Sequence, residues 1–203
     1  DDQIKKSIEA SEFKSQHIKN ESDLLDMTVD RLTSGKVIGR FNGRFEWGPR
    51  ALGNRSILAD PRSNEMKDLV NTKIKFREPF RPFAPSILAE STESYFNLPN
   101  AIDNMAARFM LLVTDVHTDK QDLITAVSHM GTARVQTVHK DTNTSYYKLI
   151  EQFGQSTGIP ILLNTSFNVR GEPVVTSPND ALNTFRNSGI DTLVIGNHIV
   201  DKP

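Results

Sequence analysis

The chain has 203 residues, of which 37% are hydrophobic and 24% charged, a composition typical of a globular protein with one large domain or two small ones. It contains no cysteine, which excludes disulfides, thiolate zinc sites and thiol nucleophiles. The N-terminus is charged and no apolar run is long enough for a membrane helix, so we expect a cytoplasmic protein with no membrane contact.

The charge is unevenly distributed although the formal net charge is only −1. Residues 36–81 hold eleven Lys and Arg against five Asp and Glu. Nucleic-acid-binding proteins usually spread their basic residues over a whole face or domain. A basic stretch confined to 46 residues and rich in arginine instead favours a small anionic ligand and argues against nucleic acid.

Residues 1–35 are predicted to be helical. Ser22 is predicted to cap a helix that buries Leu25, Val29 and Leu32 and ends at Gly35. Because the chain begins with Asp1, we expect it to be part of a longer protein, with residues 1–35 leading in from a missing N-terminal domain.

The next 50 residues alternate between strands, a loop and a helix. Strands are predicted at residues 36–41 and 56–59, on either side of a glycine-rich loop. Ser63 is predicted to cap a helix whose apolar face holds Met66, Leu69, Val70 and Ile74. The proline-rich stretch 79–85 must be extended or turning.

The second half of the chain reads as further strands and two helices. Strands are predicted at residues 109–113 (buried), 133–138 (alternating and half-exposed), 160–163 (core) and 192–195. The first helix carries Tyr146, Leu149, Ile150 and Phe153 on one face and stops before Gly158. The second is capped by Ser177, has Pro178 in its first turn and ends before Gly189. Several strands adjoin without an intervening helix, which predicts an α/β fold with a mixed sheet flanked by helices.

Arginines are held on rigid backbone in the loop after the first strand. Arg44, Arg50 and Arg55 alternate with three glycines and Pro49. Arginine forks match phosphate and carboxylate, and a rigid backbone loses little entropy on binding. We therefore interpret the loop as a ligand-binding element and not as a solvated charged turn, and we expect the single tryptophan, Trp47, to serve packing.

Two further segments carry candidate site residues. Lys75 and Arg77 would point to one side of an extended segment, although a helix C-terminus would also attract such cations, and Arg81 follows between prolines. Short polar side chains follow the strand at 160–163, and Arg134 follows a Gly-Thr-Ala turn. The five histidines lack the spacing of metal ligands, so no metal site is predicted.

The strings GRFEWGPRALGNRSILADPR, NTKIKFREPFRPFAPSILAE, GTARVQTV and TGIPILLNTSFNVRGEPVVTSPNDAL resemble the C-terminal domain of the O-carbamoyltransferases that modify antibiotics and nodulation oligosaccharides. The resemblance runs from about residue 35 to the end. It implies a YrdC-like fold with a twisted mixed sheet over residues 36–203. Lys75-Phe76-Arg77 and Ser166-Phe167-Asn168 match the Lys-x-Arg and Ser-x-Asn signature of that fold. One departure is Ser128-His129-Met130 before Gly131, where the family usually has Asp-Gly.

The resemblance also implies an activity. Such a domain takes carbamoyl phosphate and ATP, with Mg²⁺ on the nucleotide, and forms carbamoyl-adenylate. An N-terminal Kae1-like domain, which this chain lacks, then transfers the carbamoyl group to an acceptor hydroxyl. The implied catalytic residues are Lys75 and Arg77. The implied substrate-binding residues are Arg50, Arg55, Arg81 and Arg134, and the implied nucleotide-binding residues are Asn164, Ser166 and Asn168.

Two other functions remain open at this point. The domain could bind carbamoyl phosphate or nucleotide without reacting, because its product normally crosses to a partner domain. It could also be an RNA-associated protein that makes threonylcarbamoyl-adenylate, which the basic stretch permits but the long motifs favour less. Formation of AMP, and the substrate that supports it, distinguishes the three.

Overall fold

The architecture is that of a mixed sheet covered by helices, as described by a computed structural model of residues 2–202. The helices are α1 (Asp2–Glu9), α2 (Glu21–Thr33), α3 (Asn64–Leu69), α4 (Met105–Arg108), α5 (Thr144–Thr157) and α6 (Pro178–Arg186). The strands are β1 (Gln16–His17), β2 (Ile38–Phe41), β3 (Arg55–Ala59), β4 (Ala84–Leu88), β5 (Thr114–Asp115), β6 (Thr132–Ala133), β7 (Gln136–Val138), β8 (Ile161–Ser166), β9 (Thr192–Ile195) and β10 (His198–Asp201).

The main sheet has the strand order β1-β10-β9-β2-β3-β8-β4-β7, and β5 and β6 form a small separate pair. Strand β2 runs parallel to β9, and β4 runs parallel to β7. The other pairs are antiparallel. The predicted mixed sheet flanked by helices is therefore confirmed.

Two apolar cores lie on the two faces of this sheet. On one face, Ile38 and Leu58 pack with residues of α2 and α5 such as Leu32 and Phe153. On the other face lie the apolar residues of α3 and α6 together with those of the long connection between β4 and β7. Within residues 2–202, no helix is long and apolar enough to cross a membrane.

Several predicted helix boundaries are confirmed because their capping residues act locally. Ser63 accepts a hydrogen bond from the Glu65 amide at the start of α3. Ser177 and Asp180 form a reciprocal capping box with Pro178 in the first turn of α6. Gly158 ends α5 in the left-handed conformation that glycine adopts most easily. The predicted strands near β2, β3, β8 and β9 are also confirmed.

Two strand predictions in the second half were wrong. Residues 109–113 form no strand: Met110 has a left-handed backbone and the side chains of Leu111 and Val113 are exposed. An apolar run becomes a core strand only where a neighbour covers it, and here β5 begins after the run. The stretch 133–138 is split, because β6 ends at Ala133 and β7 enters the main sheet fully buried.

The first 35 residues are part of the same layers as the rest of the chain. Strand β1 pairs with β10, and α2 packs beside α5. The side chain that caps α2 is Asn20, which accepts a hydrogen bond from the Ser22 amide, so the prediction of Ser22 as the cap was wrong. Neither β1 nor β10 was predicted, since two to four residues carry too little periodicity to detect.

We predict that Gly53→Ala destabilises the fold by at least about 2 kcal/mol, because two costs combine. Gly53 has φ +119°, and an added Cβ would lie 2.6 Å from Cγ of the buried Tyr146. Gly48→Ala is the control, since Gly48 has φ +113° with no atom within 4 Å of the added Cβ. Chemical denaturation of both variants measures the difference, and equal losses would contradict the packing argument.

Candidate functional site: an arginine cleft at one edge of the sheet

One edge of the main sheet collects the segments that carry the candidate residues. Strand directions bring the ends of β2 and β8 to the same edge as the beginnings of β3, β4 and β7. Ser166 ends β8, Arg81 lies just before β4, and Arg134 lies just before β7. The loop of residues 43–54, here called the Arg50 loop, joins β2 to β3 at this edge.

Three adjoining cavities of about 390, 130 and 300 Å³ open along this edge. Arg77 lines all three. The largest of the three is here called the arginine cleft. It is lined by four guanidinium groups, those of Arg50, Arg77, Arg81 and Arg134. The fold thus brings Arg77, predicted to be catalytic, together with Arg50, Arg81 and Arg134, which were predicted to bind substrate.

Positive charge in the arginine cleft is poorly compensated. No Asp or Glu is among the residues that line the largest cavity, and Glu78 pairs with Arg81 at 2.9 Å beside it. Burial lowers the pKa of Arg134, and the neighbouring Arg50 lowers it further. Among the residues that the structure describes, the buried Nε atoms of Arg50 and Arg134 have no hydrogen-bond partner. An anion bound by these guanidinium groups would relieve the repulsion between them.

Arg77 is held in place by a buried asparagine that the sequence analysis missed. Its Nε donates to Asn71 Oδ1 at 2.7 Å, and its guanidinium lies 4.7 Å from the centre of the Phe83 ring. The Asn71 amide also donates to the carbonyls of Pro79 and Arg81. Asn71 therefore fixes both the Arg77 side chain and the proline-rich backbone. An asparagine on the apolar face of the predicted helix was the signal available in the sequence.

Lys75 links the Lys-x-Arg segment to the Ser-x-Asn segment. It ends a π-helical turn of residues 70–75, and Phe76 follows in a left-handed conformation, so the segment is a helix C-terminus and not extended. The Lys75 Nζ lies 2.9 Å from Ser166 O, 3.3 Å from Ser166 Oγ, 2.9 Å from Asn168 O and 2.8 Å from Asn168 Oδ1. Burial lowers the pKa of Lys75 to about 7, and the Arg77 charge contributes.

Ser166 and Asn168 line the third cavity together with Arg81. The Ser166 hydroxyl donates to Asn168 Oδ1 at 2.7 Å, and the Asn168 amide donates to the Glu172 carbonyl at 2.7 Å. The hydroxyl, the amide and Lys75 therefore form one connected group. Its conformation is fixed before any ligand binds, which reduces the entropy lost on binding.

The Arg50 loop is closed by a carboxylate that the sequence analysis did not single out. Oε1 of Glu46 accepts from the backbone amides of Leu52 at 2.9 Å, Asn54 at 2.5 Å and Arg55 at 3.2 Å. The Arg55 guanidinium donates to the carbonyls of Asn42 and Gly43 and stacks 3.6 Å from the centre of the Phe41 ring. Arg55 lines none of the three cavities and acts on the loop itself.

A buried polar network holds the loop from below. The Asn164 amide donates to Ala51 O, Ser86 Oγ and Gln136 Oε1 at 2.8–3.2 Å. Gln136 in turn donates to Leu52 O at 2.9 Å. Asn164 borders the second cavity but is fully buried, and its amide faces the protein. The sequence pattern gave no indication of this network, which depends on the register of three strands.

Trp47 lies at the tip of the Arg50 loop with its side chain 98% exposed, so the prediction that it serves packing was wrong. Thirteen residues separate β2 from β3, and the exposed Trp47 side chain packs on no other element. The other predicted loop arginine, Arg44, is also exposed there.

We predict that Glu46→Ala loosens the Arg50 loop without unfolding the sheet. The loss of one acceptor for three backbone amides should speed hydrogen exchange at Leu52, Asn54 and Arg55 by at least about tenfold. Glu46→Gln keeps an acceptor oxygen and should show a smaller effect. Unchanged exchange at these amides in Glu46→Ala would contradict the role of this carboxylate.

We predict that Lys75 makes the stability of the protein rise above pH 7. The pKa of Lys75 is about 7 when folded and near its ordinary value of 10.5 when unfolded, so the unfolded chain binds the extra proton between these pH values. The free energy of unfolding should then rise with pH by at most about 1.4 kcal/mol per unit relative to Lys75→Met. Lys73→Met, at an exposed lysine, should follow the wild-type curve. Parallel curves for wild type and Lys75→Met would contradict the lowered pKa.

Comparison with known proteins identifies relatives along nearly the whole chain. Residues 29–202 match the family described as the carbamoyltransferase C-terminus. The chain is 46% identical to nodulation protein NolO of Bradyrhizobium diazoefficiens over 91% of its own length and 34% of that protein. It is 46% identical to NolNO of Sinorhizobium fredii over 92% of its length and 28% of that protein. The chain thus spans about a third of the length of these relatives.

Solved structures with the same fold are much more distant in sequence. Full-length HypF in its phosphate- and nucleotide-bound form superposes with a TM-score of 0.59 at 14% identity, covering 86% of this chain and 25% of HypF. A double variant of Sua5 from P. abyssi gives a TM-score of 0.56 at 13% identity, covering 88% of this chain and 54% of Sua5. These likenesses confirm the predicted YrdC-like fold. With the match over residues 29–202, the chain belongs to the family of carbamoyltransferase C-terminal domains.

Proposed function

We propose that this domain binds carbamoyl phosphate and ATP in the arginine cleft and forms carbamoyl-adenylate. One observation carries the proposal: four guanidinium groups surround a cavity of about 390 Å³ that no Asp or Glu lines. Membership of the carbamoyltransferase family supports the nature of the substrate. The cavity has the volume of a small-molecule site, and its neighbours extend it for a nucleotide.

The proposed reaction has two steps, hydrolysis of carbamoyl phosphate to carbamate and adenylation of the carbamate. Water attacks the carbonyl carbon of carbamoyl phosphate, the bond to the phosphate oxygen breaks, and carbamate and phosphate form. An oxygen of carbamate then attacks the α-phosphorus of ATP, the bond to the β-phosphate oxygen breaks, and pyrophosphate leaves. Both steps concentrate negative charge on phosphoryl oxygens, so positioning and electrostatic stabilisation by fixed cations supply most of the catalysis.

The residues divide between the two ligands according to the cavities that they line. Arg50, Arg77 and Arg134 would hold the phosphoryl group of carbamoyl phosphate, since their side chains converge on the first two cavities. Ser166 and Asn168 would contact the nucleotide phosphates in the third cavity, which Lys75 and Arg81 also line.

The remaining predicted residues would act indirectly. Lys75 would gain a proton as the anions bind, because nearby negative charge raises the pKa of an ammonium group. Arg55 and Asn164 would position the Arg50 loop, to whose backbone they donate.

Magnesium would accompany ATP. The described residues contain no group of three or more His, Asp or Glu side chains that could hold a metal, and the cleft presents cations. A Mg²⁺ ion in this site would therefore be bound mainly through phosphate oxygens, as in many nucleotide complexes. It would neutralise charge on the pyrophosphate leaving group.

An N-terminal Kae1-like domain would then transfer the carbamoyl group to the hydroxyl of an acceptor molecule. The length of the relatives supports such a partner domain, since this chain spans about a third of each. Exposed apolar side chains beside the cleft, including those of Leu111, Val113 and Met130, provide a surface that such a domain could cover.

We predict that the purified chain, given ATP, Mg²⁺ and carbamoyl phosphate, releases pyrophosphate and accumulates carbamoyl-adenylate or AMP. Arg77→Ala and Arg134→Ala should each slow pyrophosphate release by at least about 100-fold, because each removes a donor to the developing charge. Arg186→Ala, at a surface arginine paired with Glu12, is the control and should react at the wild-type rate.

Calorimetric titration with carbamoyl phosphate separates the remaining outcomes. Binding that is lost in Arg77→Ala, without pyrophosphate release, would favour a binding module that reacts only with its partner domain. Threonine and bicarbonate supporting pyrophosphate release in place of carbamoyl phosphate would favour a threonylcarbamoyl-adenylate synthase. Neither binding nor reaction would contradict the proposed function.

A further inference from the structure

A separate cavity of about 260 Å³ lies on the face of the sheet that α2 and α5 cover. It is bounded by these helices and by the ends of β2 and β9, and it shares no lining residue with the arginine cleft or with the two cavities that adjoin the cleft. Its polar lining consists of one carboxylate, one cation and four neutral side chains, those of Glu21, Arg40, Thr28, Asn42, Ser145 and Asn197. Its apolar lining is formed by Leu24, Leu25, Leu149 and Val194.

Arg40 places a buried positive charge at this cavity. Its side chain lies under α5, the residue is 4% exposed, and its guanidinium donates to Gly53 O and, at 2.8 Å, to Ser145 Oγ. Burial lowers the pKa of Arg40 to about 10, so it remains a cation at neutral pH. Within residues 2–202, no carboxylate forms a salt bridge with it. A buried cation without an anion is costly.

The nearest carboxylates are engaged elsewhere. Glu46 accepts from three backbone amides of the Arg50 loop. Glu21 lines the cavity, and its carboxylate is neutralised by Lys148 at 2.5 Å. Arg40 has five N–H donors and uses two of them in its hydrogen bonds. Three donors therefore have no acceptor in these bonds.

Ser145 offers a further donor. Its Oγ accepts from Arg40 and, at 3.4 Å, from the Asn42 amide. In the described part of the chain, no acceptor pairs with its own O–H, which leaves that proton for a ligand in the cavity.

Two helices begin at this cavity, and the N-terminus of α5 adds positive potential to it. Helices α2 and α5 run side by side in the same direction, because Glu21 meets Lys148 near their starts and Asp26 meets Gln152 one turn further on. Glu21 is the first residue of α2, and Ser145 lies in the first turn of α5. The first turn of α2 already carries Glu21 and Asp23, whereas the first turn of α5 has no acidic residue, so the peptide dipole of α5 is the one that favours a further anion here.

The size and the apolar lining restrict the rest of the ligand. A volume of about 260 Å³ is slightly below that of typical pockets for drug-sized ligands. Leu25 and Leu149 would contact a short hydrocarbon chain, whereas a free phosphate would leave them without a partner. We propose that this cavity is a second binding site, for a small aliphatic carboxylate, whose carboxylate group binds Arg40 and Ser145 and whose hydrocarbon part lies against the leucines.

The test is a titration of the ¹⁵N-labelled chain with butyrate, followed by amide chemical shifts. We expect saturable shifts in the millimolar range at Asn42, Ser145 and Asn197. Butan-1-ol, which has the same carbon chain and no charge, should bind at least about tenfold more weakly, because it lacks the charge-assisted hydrogen bonds.

Asn42→Asp tests the anion recognition with little change in shape. Its carboxylate would lie beside Ser145 and supply Arg40 with a permanent counter-charge, so butyrate binding should weaken at least about tenfold. Asn183→Asp, on the exposed surface of α6, is the matched control and should bind as the wild type does. Leu25→Phe should fill the cavity and weaken binding without any change of charge.

The absence of saturable shifts in the folded wild type would overturn the proposal. Equal affinity for butan-1-ol, or undiminished butyrate binding in Asn42→Asp, would also overturn it, because the cavity would then recognise only the hydrocarbon. These outcomes do not depend on the reaction at the arginine cleft, where pyrophosphate release is the readout.

Discussion

Mutual repulsion among the arginine side chains of one cleft is the constraint on which the rest of the site depends. Arg50, Arg77 and Arg134 come from three distant segments, and burial lowers the pKa of Arg77 and of Arg134. Such an arrangement is unfavourable unless the surrounding structure fixes each side chain. Asn71 and Phe83 fix Arg77, and the Glu46 carboxylate closes the loop that carries Arg50. The repulsion is stored in the folded protein, and a bound anion would release it.

The sheet supplies the rigidity for this arrangement through polar contacts as well as apolar ones. Asn164, Ser86 and Gln136 come from three adjacent strands and together hold the carbonyls of Ala51 and Leu52. The amide donors of Asn164 and Gln136 find these carbonyls in only one position of the loop, whereas Asn164 Oδ1 has no partner among the described residues. The loop backbone thus connects the core of the sheet directly to the position of Arg50.

The sequence predicted the parts of the fold that are determined locally. The capping residues Ser63 and Ser177 act within a few residues of themselves, so the helices that they start could be predicted. The convergence of Arg50 and Arg134, 84 positions apart in the chain, depends on the strand order and could be expected only from the resemblance to a known family. The roles of Asn71 and Glu46 depend on backbone positions that no periodicity reveals. The apolar run 109–113 was mistaken for a strand because composition does not show what covers a segment.

Arginine side-chain NMR during a titration with carbamoyl phosphate tests the central claim most directly. The Nε–H signals of Arg50 and Arg134, which have no partner among the described residues, should shift together and saturate at one ligand concentration. The signal of Arg186, on the surface at α6, should not move. Saturable binding that leaves the signals of Arg50 and Arg134 unchanged, or shifts them at different concentrations, would contradict a single anion site built from these arginines.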